Sequence, residues 1–155
     1  MSILVVFYSR SGTTAKVARE LASRLGAETE EIKEEKNRKG LKGYLQSAWE
    51  AGRKTKPSLK SLEKDPARYD LIVVGTPVWV GTMASPVRSY LDNNKDKFDR
   101  LAFFTTQGSA QTQRVVKDLE AVSQRAPVAL MEFTTKEVSK GGFQEKLGRF
   151  INKLT

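Results

Sequence analysis

Residues 3–14 are Ile-Leu-Val-Val-Phe-Tyr-Ser-Arg-Ser-Gly-Thr-Thr, a strongly apolar run followed by a hydroxyl-rich one. The first six are β-branched, aliphatic or aromatic side chains in one run, which is typical of a strand buried on both faces of a sheet. A hydroxyl-rich turn follows, and apolar residues then recur at helical spacing from Val17 to Leu25. A strand, a turn and a helix in this order indicate an α/β protein with a parallel sheet.

The same alternation continues to the end of the chain. Apolar runs at residues 71–74, 101–104 and 128–133 predict three more buried strands, with helical patterns after each. Residues 27–33 predict a polar edge strand, whose Glu28, Glu30 and Glu31 we interpret as a solvated face rather than a metal site. The pattern therefore predicts one domain, residues 1–155, in which five parallel strands alternate with five helices on both faces of the sheet.

Composition excludes several kinds of chemistry. The 155 residues include no Cys and no His, which rules out disulfides, thiolate metal sites, serine–histidine triads and histidine-ligated haem. The first apolar run lacks the length and basic flank of a signal peptide, and no stretch approaches the roughly 20 apolar residues of a spanning helix. We therefore expect a cytoplasmic protein without a membrane span, whose chemistry depends on a bound cofactor or on the remaining polar groups.

The charge of the chain is unevenly distributed. Its 27 basic and 18 acidic residues give a net charge of +9, and residues 33–64 carry ten of the basic and four of the acidic ones. A basic segment attracts anionic partners, but the charges are scattered without interleaved aromatics, which favours a solvated surface over a nucleic-acid site. The Gly-x-x-Gly spacing at residues 40–43 resembles an RNA-binding loop, yet it is better interpreted as the entry to a helix.

That helix has a pronounced apolar stripe. Six residues fall at positions i, i+3, i+4, i+7, i+8 and i+11: Leu41, Tyr44, Leu45, Ala48, Trp49 and Gly52. The stripe either packs on the sheet or pairs with another subunit, and the pattern leaves both open.

A hydroxyl-rich turn follows the first strand. Within six residues it holds four hydroxyl side chains and one glycine: Ser9, Arg10, Ser11, Gly12, Thr13 and Thr14. The turn is neither a Walker loop nor a GxGxxG turn. A helix N-terminus offers unpaired N–H groups, and hydroxyls add further donors, so the turn predicts a site for a terminal phosphate rather than a helix cap alone.

Two further turns follow the predicted strands that begin at Leu71 and Leu101. One is a predicted loop over residues 76–85 with an apolar centre, which indicates a binding site when it lies on the surface. Its candidate site residues are Thr76, Pro77, Val78, Trp79, Val80 and Gly81. Trp79 either forms a wall for a flat ligand or folds back onto the core, and Gly75 and Gly81 allow the backbone to approach that ligand closely. The other turn offers amides and hydroxyls for the edge of a heterocycle: Thr105, Thr106, Gln107, Gly108 and Ser109.

Ligands of open α/β sheets bind at the carboxyl ends of the strands, so the three turns predict one ligand with a phosphate at one end and a flat ring at the other. They resemble the flavin-binding loops of the flavodoxin-like superfamily, and the resemblance extends over nearly the whole chain. It implies a three-layer sandwich around a five-stranded parallel sheet in the order 2-1-3-4-5. It also implies noncovalent FMN, with the phosphate at residues 9–14, the ring at 77–81 and its pyrimidine side at 105–109.

The resemblance implies a redox protein, most simply an electron carrier that exchanges electrons with a partner protein. The alternative within the fold is an FMN-dependent NAD(P)H:quinone reductase, and a more distant one is a non-redox binding module that uses the basic segment 33–64. Carriers of this family are typically acidic, and this chain is basic. Residues 76–91 and 101–117 contain no Asp or Glu, so we expect a reduction potential less negative than that of the acidic carriers.

Overall fold

A parallel sheet forms the centre of the computed structural model, which describes residues 1–35, 40–108 and 113–155. Its strands are β1 (Ile3–Phe7), β2 (Glu28–Glu31), β3 (Leu71–Trp79), β4 (Thr82–Met83), β5 (Arg100–Gln107) and β6 (Leu130–Thr134). Five of them are parallel in the order β2-β1-β3-β5-β6, and β4 pairs antiparallel with the end of β3. The predicted five-stranded order is confirmed, because β4 is a two-residue addition that leaves the parallel order unchanged.

Helices cover both faces of the sheet. They are α1 (Thr13–Leu25), α2 (Gly40–Gly52), α3 (Ser85–Asn94), α4 (Gln113–Ser123), α5 (Thr135–Ser139) and α6 (Gln144–Leu154). The α1 and α6 side chains pack in one core cluster on the sheet, and those of α3 and α4 pack in a second cluster on the other face. The three-layer arrangement is therefore the predicted one. Among the described residues, no helix is both long and apolar enough to cross a bilayer.

Alternation along the strands explains the two clusters. Successive side chains of a strand point to opposite faces, so Val5 of β1 lies in the first cluster and Leu4 in the second. Gly75 of β3 has a packing role here, because a Cβ at that position would lie 2.1 Å from the ring of Phe104. A neighbouring aromatic ring in the core therefore requires glycine here, and the close approach of a ligand to Gly75 stays a prediction.

Helix α5 was not predicted from the sequence. It is one short helix directly after β6, and Thr134 and Glu137 form a capping box at its start: Thr134 Oγ1 accepts from the Glu137 N–H at 3.2 Å, and Glu137 Oε2 accepts from the Thr134 N–H at 3.0 Å. Such reciprocal caps stabilise helices too short to persist alone. The helical periodicity of a five-residue segment is too brief to be recognised.

The apolar stripe of α2 faces solvent. Leu41, Leu45 and Trp49 are exposed, whereas the buried side of the helix consists of Gly43, Ser47, Glu50 and Ala51. Small residues let this side approach the protein closely, and Ser47 Oγ donates to the Gly43 carbonyl at 2.7 Å. The first turn of α2 contains the Gly-x-x-Gly segment, so this spacing forms helix rather than an RNA-binding loop.

Candidate functional site

A cleft lies at the carboxyl ends of the central strands, where the three predicted turns meet. Its volume is about 260 Å³, and twelve residues line it: Arg10, Ser11, Thr13, Thr14, Tyr44, Pro77, Val78, Trp79, Thr106, Gln107, Gly108 and Thr135. A smaller cleft of about 90 Å³ shares four of these residues and is also lined by Ser47, Ala48 and Val80. The fold thus brings turns separated by up to a hundred residues of sequence to one place.

Ser9 shapes the first turn from within. Its Oγ accepts hydrogen bonds from the backbone N–H groups of Gly12 and Ala15, at 3.1 and 3.2 Å. Gly12 then begins α1 with φ of +98°, a left-handed conformation that glycine adopts without strain. Ser9 and Gly12 were predicted as ligand contacts, but neither lines the cleft; they hold the turn in its shape.

The start of α1 is open toward the cleft. Its N-cap residue makes no side-chain cap, and the first helical hydrogen bond is that from Lys16 N–H to the Gly12 carbonyl. Within the described parts of the chain, the N–H groups of Thr13 and Thr14 have no acceptor. Free N–H groups at a helix N-terminus attract anions, because they are donors at the positive end of the helix dipole.

A hydrogen bond joins the first turn to the third. Thr14 Oγ1 and Thr106 Oγ1 lie 2.7 Å apart, and both side chains are buried. Thr106 is near the end of β5, so this contact fixes the start of α1 against the neighbouring carboxyl end. Its effect is to hold the donors of one turn beside those of the other.

The second turn is a β-hairpin rather than a loop. Trp79 pairs with Thr82 across the two-residue turn Val80-Gly81, whose φ values are +51° and +72°. Two positive φ values in a two-residue hairpin are the signature of a type I′ turn. The loop predicted over residues 76–85 was therefore wrong in shape, because the strand continues to Trp79 and folds back on itself.

Trp79 performs both of the roles left open by the sequence. It packs edge-to-face on Tyr8, with ring centroids 5.5 Å apart, and it lines the cleft. Tyr8 in turn donates from its hydroxyl to Glu34 Oε1 at 3.1 Å. The indole is thus held by the core while part of it remains available to a ligand.

Two predicted contacts on neighbouring strands are buried away from the cleft. Thr76 is fully buried, donates to the Pro77 carbonyl at 2.8 Å and accepts from the Ala84 N–H at 3.0 Å. Thr105 is fully buried within β5. Thr76 and Thr105 therefore support the site without lining it. Gly81, which was also predicted as a contact, does not line the cleft either and forms part of the hairpin turn.

The third turn offers an unused acceptor. Gln107 donates from Nε2 to Glu132 Oε2 at 3.2 Å, and its buried Oε1 has no hydrogen-bond partner among the described residues. Burial raises the pKa of Glu132 above its usual range, although Lys146 and the Gln107 hydrogen bond act in the opposite direction. A buried amide oxygen without a partner is costly, so a ligand that donates an N–H to it would be favoured. Gly108 also lines the cleft, while Ser109 lies outside the described residues.

Two lining residues were not predicted from the sequence. Tyr44 of α2 lines both clefts, and the Cζ atom of Arg10 lies over its ring, 5.1 Å from the ring centre. Its place on a helix was expected, but no local signal showed that this helix reaches the cleft. Thr135 follows β6 and reaches the same edge of the sheet. The sequence signal for Thr135 is its position directly after the last apolar run, because the carboxyl ends of parallel strands meet at one edge of the sheet.

An ion-pair cluster contacts the second strand of the hairpin, β4. Asp118 of α4 accepts from the Thr82 hydroxyl and from Lys54 Nζ, the latter at 3.0 Å, and Arg88 Nη2 lies 3.7 Å away. Burial would raise the pKa of Asp118, but these hydrogen bonds and cations outweigh it and hold the pKa below the ordinary value. The cluster connects β4, α3 and α4 with the segment after α2, so it fixes the hairpin that carries Trp79.

The residues present fit a ligand with an anionic group and a flat ring. Arg10 is the one charged residue that lines the cleft among those described, and no lining residue is a carboxylate. Open N–H groups and hydroxyls lie at the α1 end, aromatic and aliphatic side chains at the hairpin, and the free acceptor of Gln107 at β5. These groups match the phosphate, the flat ring and a ring N–H of a phosphorylated heterocycle.

Comparison with known proteins agrees with this description. The family model described as flavodoxin matches residues 2–152. A flavoprotein from Lactobacillus acidophilus, solved in complex with FMN, is 26% identical with a TM-score of 0.71 over 90% of this chain and 97% of that one. The apo-form of the flavoprotein from the same organism, solved by NMR, is 27% identical with a TM-score of 0.65 over 90% and 95%.

A more distant structure shares the fold. Two-electron reduced flavodoxin from Megasphaera elsdenii is 12% identical, with a TM-score of 0.56 over 84% of each chain. None of the curated proteins matches the sequence. Because the flavodoxin model matches almost from end to end, the family predicted from the three turns is confirmed, and this chain belongs to the flavodoxin family.

Proposed function

We propose that this chain binds FMN noncovalently in the cleft and acts as an electron-transfer protein. The observation that carries the proposal is the juxtaposition of unpaired N–H groups at the start of α1 with the aromatic wall of the hairpin in one cleft. The FMN complex of the 26% identical Lactobacillus flavoprotein supports the choice of FMN.

Each part of the cleft has a role in this proposal. Ser11, Thr13 and Thr14 donate to the phosphate, and Arg10 adds a positive charge beside them. The apolar side chains of Pro77, Val78 and Trp79, with Val80 at the turn, pack against the ring system. Gln107 and Gly108 meet its pyrimidine edge, where Gln107 Oε1 accepts from a ring N–H. Ser109 stays a prediction from the sequence alone.

The bound flavin supplies the redox chemistry, since no Cys or His is present to do so. The protein holds the cofactor, orients it and sets the charge around it. Because the cleft lining contains no carboxylate among the described residues, negative charge that reduction adds to the ring is not opposed by the lining. Thr14 and Thr106 keep the phosphate end rigid through their hydrogen bond.

A carrier role is favoured over the NAD(P)H:quinone reductase alternative. The cleft, at about 260 Å³, is near the lower limit for small-molecule sites, and Tyr44 of α2 narrows it beside Arg10. A cleft of this size matches one flat cofactor, which is all that a carrier needs, and turnover with a quinone separates the two roles.

Two measurements test the proposal. Addition of FMN to the purified protein is expected to shift and resolve the visible bands of oxidised flavin. The FMN-loaded protein is then mixed with NADPH or NADH and a benzoquinone. A carrier gives turnover only when a separate reductase is added, whereas rapid turnover without one would assign the reductase alternative, and unchanged flavin bands would refute FMN binding.

A further inference from the structure

Exposed apolar side chains of this protein are concentrated beside the cleft. Seven large apolar residues are exposed among those described, and five of them lie on α2 or at the hairpin turn: Leu41, Tyr44, Leu45, Trp49 and Val80. Leu41 is 75% exposed, Leu45 58% and Trp49 59%. Single exposed apolar residues are ordinary, but a contiguous group on one helix marks an interaction site.

The apolar group is continuous with the proposed cofactor site. Tyr44 and Val80 line the clefts, and Leu41, Leu45 and Trp49 follow on the outward side of the same helix at spacings of four residues. A protein bound on this face would therefore lie next to the cleft. We call the surface formed by Leu41, Leu45 and Trp49 the α2 face.

Cations border the α2 face. Lys42 and Arg53 are exposed, and the Arg53 guanidinium lies 4.7 Å from the centre of the Trp49 ring. Arg10 stacks on Tyr44 at the side toward the cleft. The acid of α2, Glu50, is buried, and the exposed carboxylate of Glu35 lines a pocket beside Trp49. Among the described residues at this border, three cations therefore outnumber one exposed carboxylate.

The sign of this charge selects the occupant. A second copy of the chain in a two-fold dimer would place the same cationic border against itself, and like charges brought together across an interface are unfavourable. A partner with carboxylates around an apolar centre would complement both features of the face.

We propose that the α2 face is the docking surface for an acidic electron-transfer protein. The inference rests on the proposed redox function and adds to it the place and chemistry of the partner. Apolar contact with Leu45 and Trp49 stabilises the complex, and the cationic border speeds its formation, so binding weakens as salt is added.

An acidic plant-type [2Fe–2S] ferredoxin is the probe, and a basic c-type cytochrome is its charge control. Binding to the FMN-loaded protein is measured by calorimetry at low and high ionic strength. Reduction of the flavin by reduced ferredoxin is followed by stopped-flow absorbance. Each ferredoxin is oxidised by one electron, so two are consumed for each flavin that is fully reduced.

Matched variants locate the surface. Leu45→Ser with Trp49→Ser removes the apolar centre. Val128→Ser is its control, because Val128 is also exposed but precedes β6, at the amino ends of the parallel strands and away from the cleft. Lys42→Glu with Arg53→Glu reverses the border, and its control reverses Lys136 and Lys153, which are exposed on α5 and α6.

The proposal predicts that both α2 variants weaken ferredoxin binding by about tenfold or more and slow flavin reduction in proportion. The control variants bind as the wild type does, and binding to the cytochrome is weaker throughout. No ferredoxin binding, equal loss in the controls, or an α2-dependent dimer in sedimentation would overturn it. FMN affinity and reduction by dithionite are measured in every variant, so failure of the cofactor site is seen separately from failure of docking.

Discussion

Thr14 and Thr106 share a hydrogen bond of 2.7 Å, although they are 92 residues apart in sequence. The first belongs to the start of α1 and the second to the end of β5, so one buried contact sets the relative position of two of the three turns. Neither hydroxyl is exposed to solvent. Each therefore depends on the other for a hydrogen-bond partner, which gives the pair a measurable effect on stability and on the site.

Replacement of Thr106 by Val tests this contact. Valine keeps the shape of the side chain but leaves Thr14 with a buried hydroxyl and no partner, so we expect a loss of about 1 to 3 kcal/mol in the free energy of unfolding. FMN affinity falls as well, because the start of α1 is less well fixed. Thr106→Ser is the control, since it retains the hydroxyl; urea unfolding and FMN titration of both variants measure the difference. Equal behaviour of the two variants would show that the hydroxyl is unimportant.

Val80 occupies a strained position in the hairpin turn. Its φ is +51°, a left-handed conformation that is unfavourable for a β-branched residue by about 1 to 2 kcal/mol. Asparagine adopts this conformation more readily and is favoured in type I′ turns. Val80→Asn is therefore expected to raise the free energy of unfolding by about 1 kcal/mol while weakening FMN binding, because an apolar contact at the cleft is removed.

The measurement for Val80 is thermal unfolding of the apo-protein together with FMN affinity. Val128→Asn serves as the comparison, because it makes the same change at an exposed position that has no positive φ. A lower melting temperature for Val80→Asn than for the wild type would contradict the strain argument.

Asp118 makes stability depend on pH in a defined direction. Its pKa is lowered in the folded protein, so its contribution is fully present above the unfolded pKa near 4 and is lost as pH falls through the lower folded value. Asp118→Asn leaves Arg88 buried without its anionic partner. We expect a loss of about 3 kcal/mol at neutral pH, because Arg88 keeps its hydrogen bond to the Thr82 hydroxyl.

Urea unfolding of wild type and Asp118→Asn from neutral pH down to about pH 3 checks this. The difference between the two proteins should be constant above about pH 4 and shrink below it. Asp96→Asn, a change at an exposed acid, should show little effect. A difference that grows on acidification would have the wrong sign and would contradict the account.

Arg10 is expected to tune the cofactor through its charge. Removal of the one charged residue that lines the described part of the cleft makes negative charge on the reduced ring less favourable. Arg10→Gln should therefore shift the midpoint potential of the bound flavin to more negative values by on the order of tens of millivolts. Redox titration at equal FMN saturation measures the shift, with Arg19→Gln, an exposed change on α1, as the control. A shift toward positive potential would refute it.

Local sequence patterns predicted the strands and their order because those signals are strong. Residues 3–8 and 71–74 are continuous apolar runs, and a buried parallel strand requires such runs. The three turns were recognised because each follows one of these strands. The hairpin at Trp79 was predicted as a loop. A type I′ turn is normally indicated by Asn or Gly at its first position, and Val80 is a β-branched residue that rarely adopts a positive φ.

Long-range features could not be obtained in the same way. The pairing of Thr14 with Thr106 and the position of Tyr44 under Arg10 depend on how distant segments pack. The apolar stripe of α2 was visible, but a pattern that normally faces a core faces solvent here. Periodicity shows that a helix has an apolar side; it does not show what that side contacts.

The central claim is that the three turns form one site for FMN, and a paired titration tests it most directly. FMN and riboflavin are titrated separately into the apo-protein by calorimetry, with flavin fluorescence followed in parallel. The account predicts that FMN binds at one equivalent with quenched fluorescence, and that riboflavin, which lacks the phosphate, binds at least tenfold more weakly. Equal affinity for the two flavins, or no heat and no quenching with FMN, would contradict it.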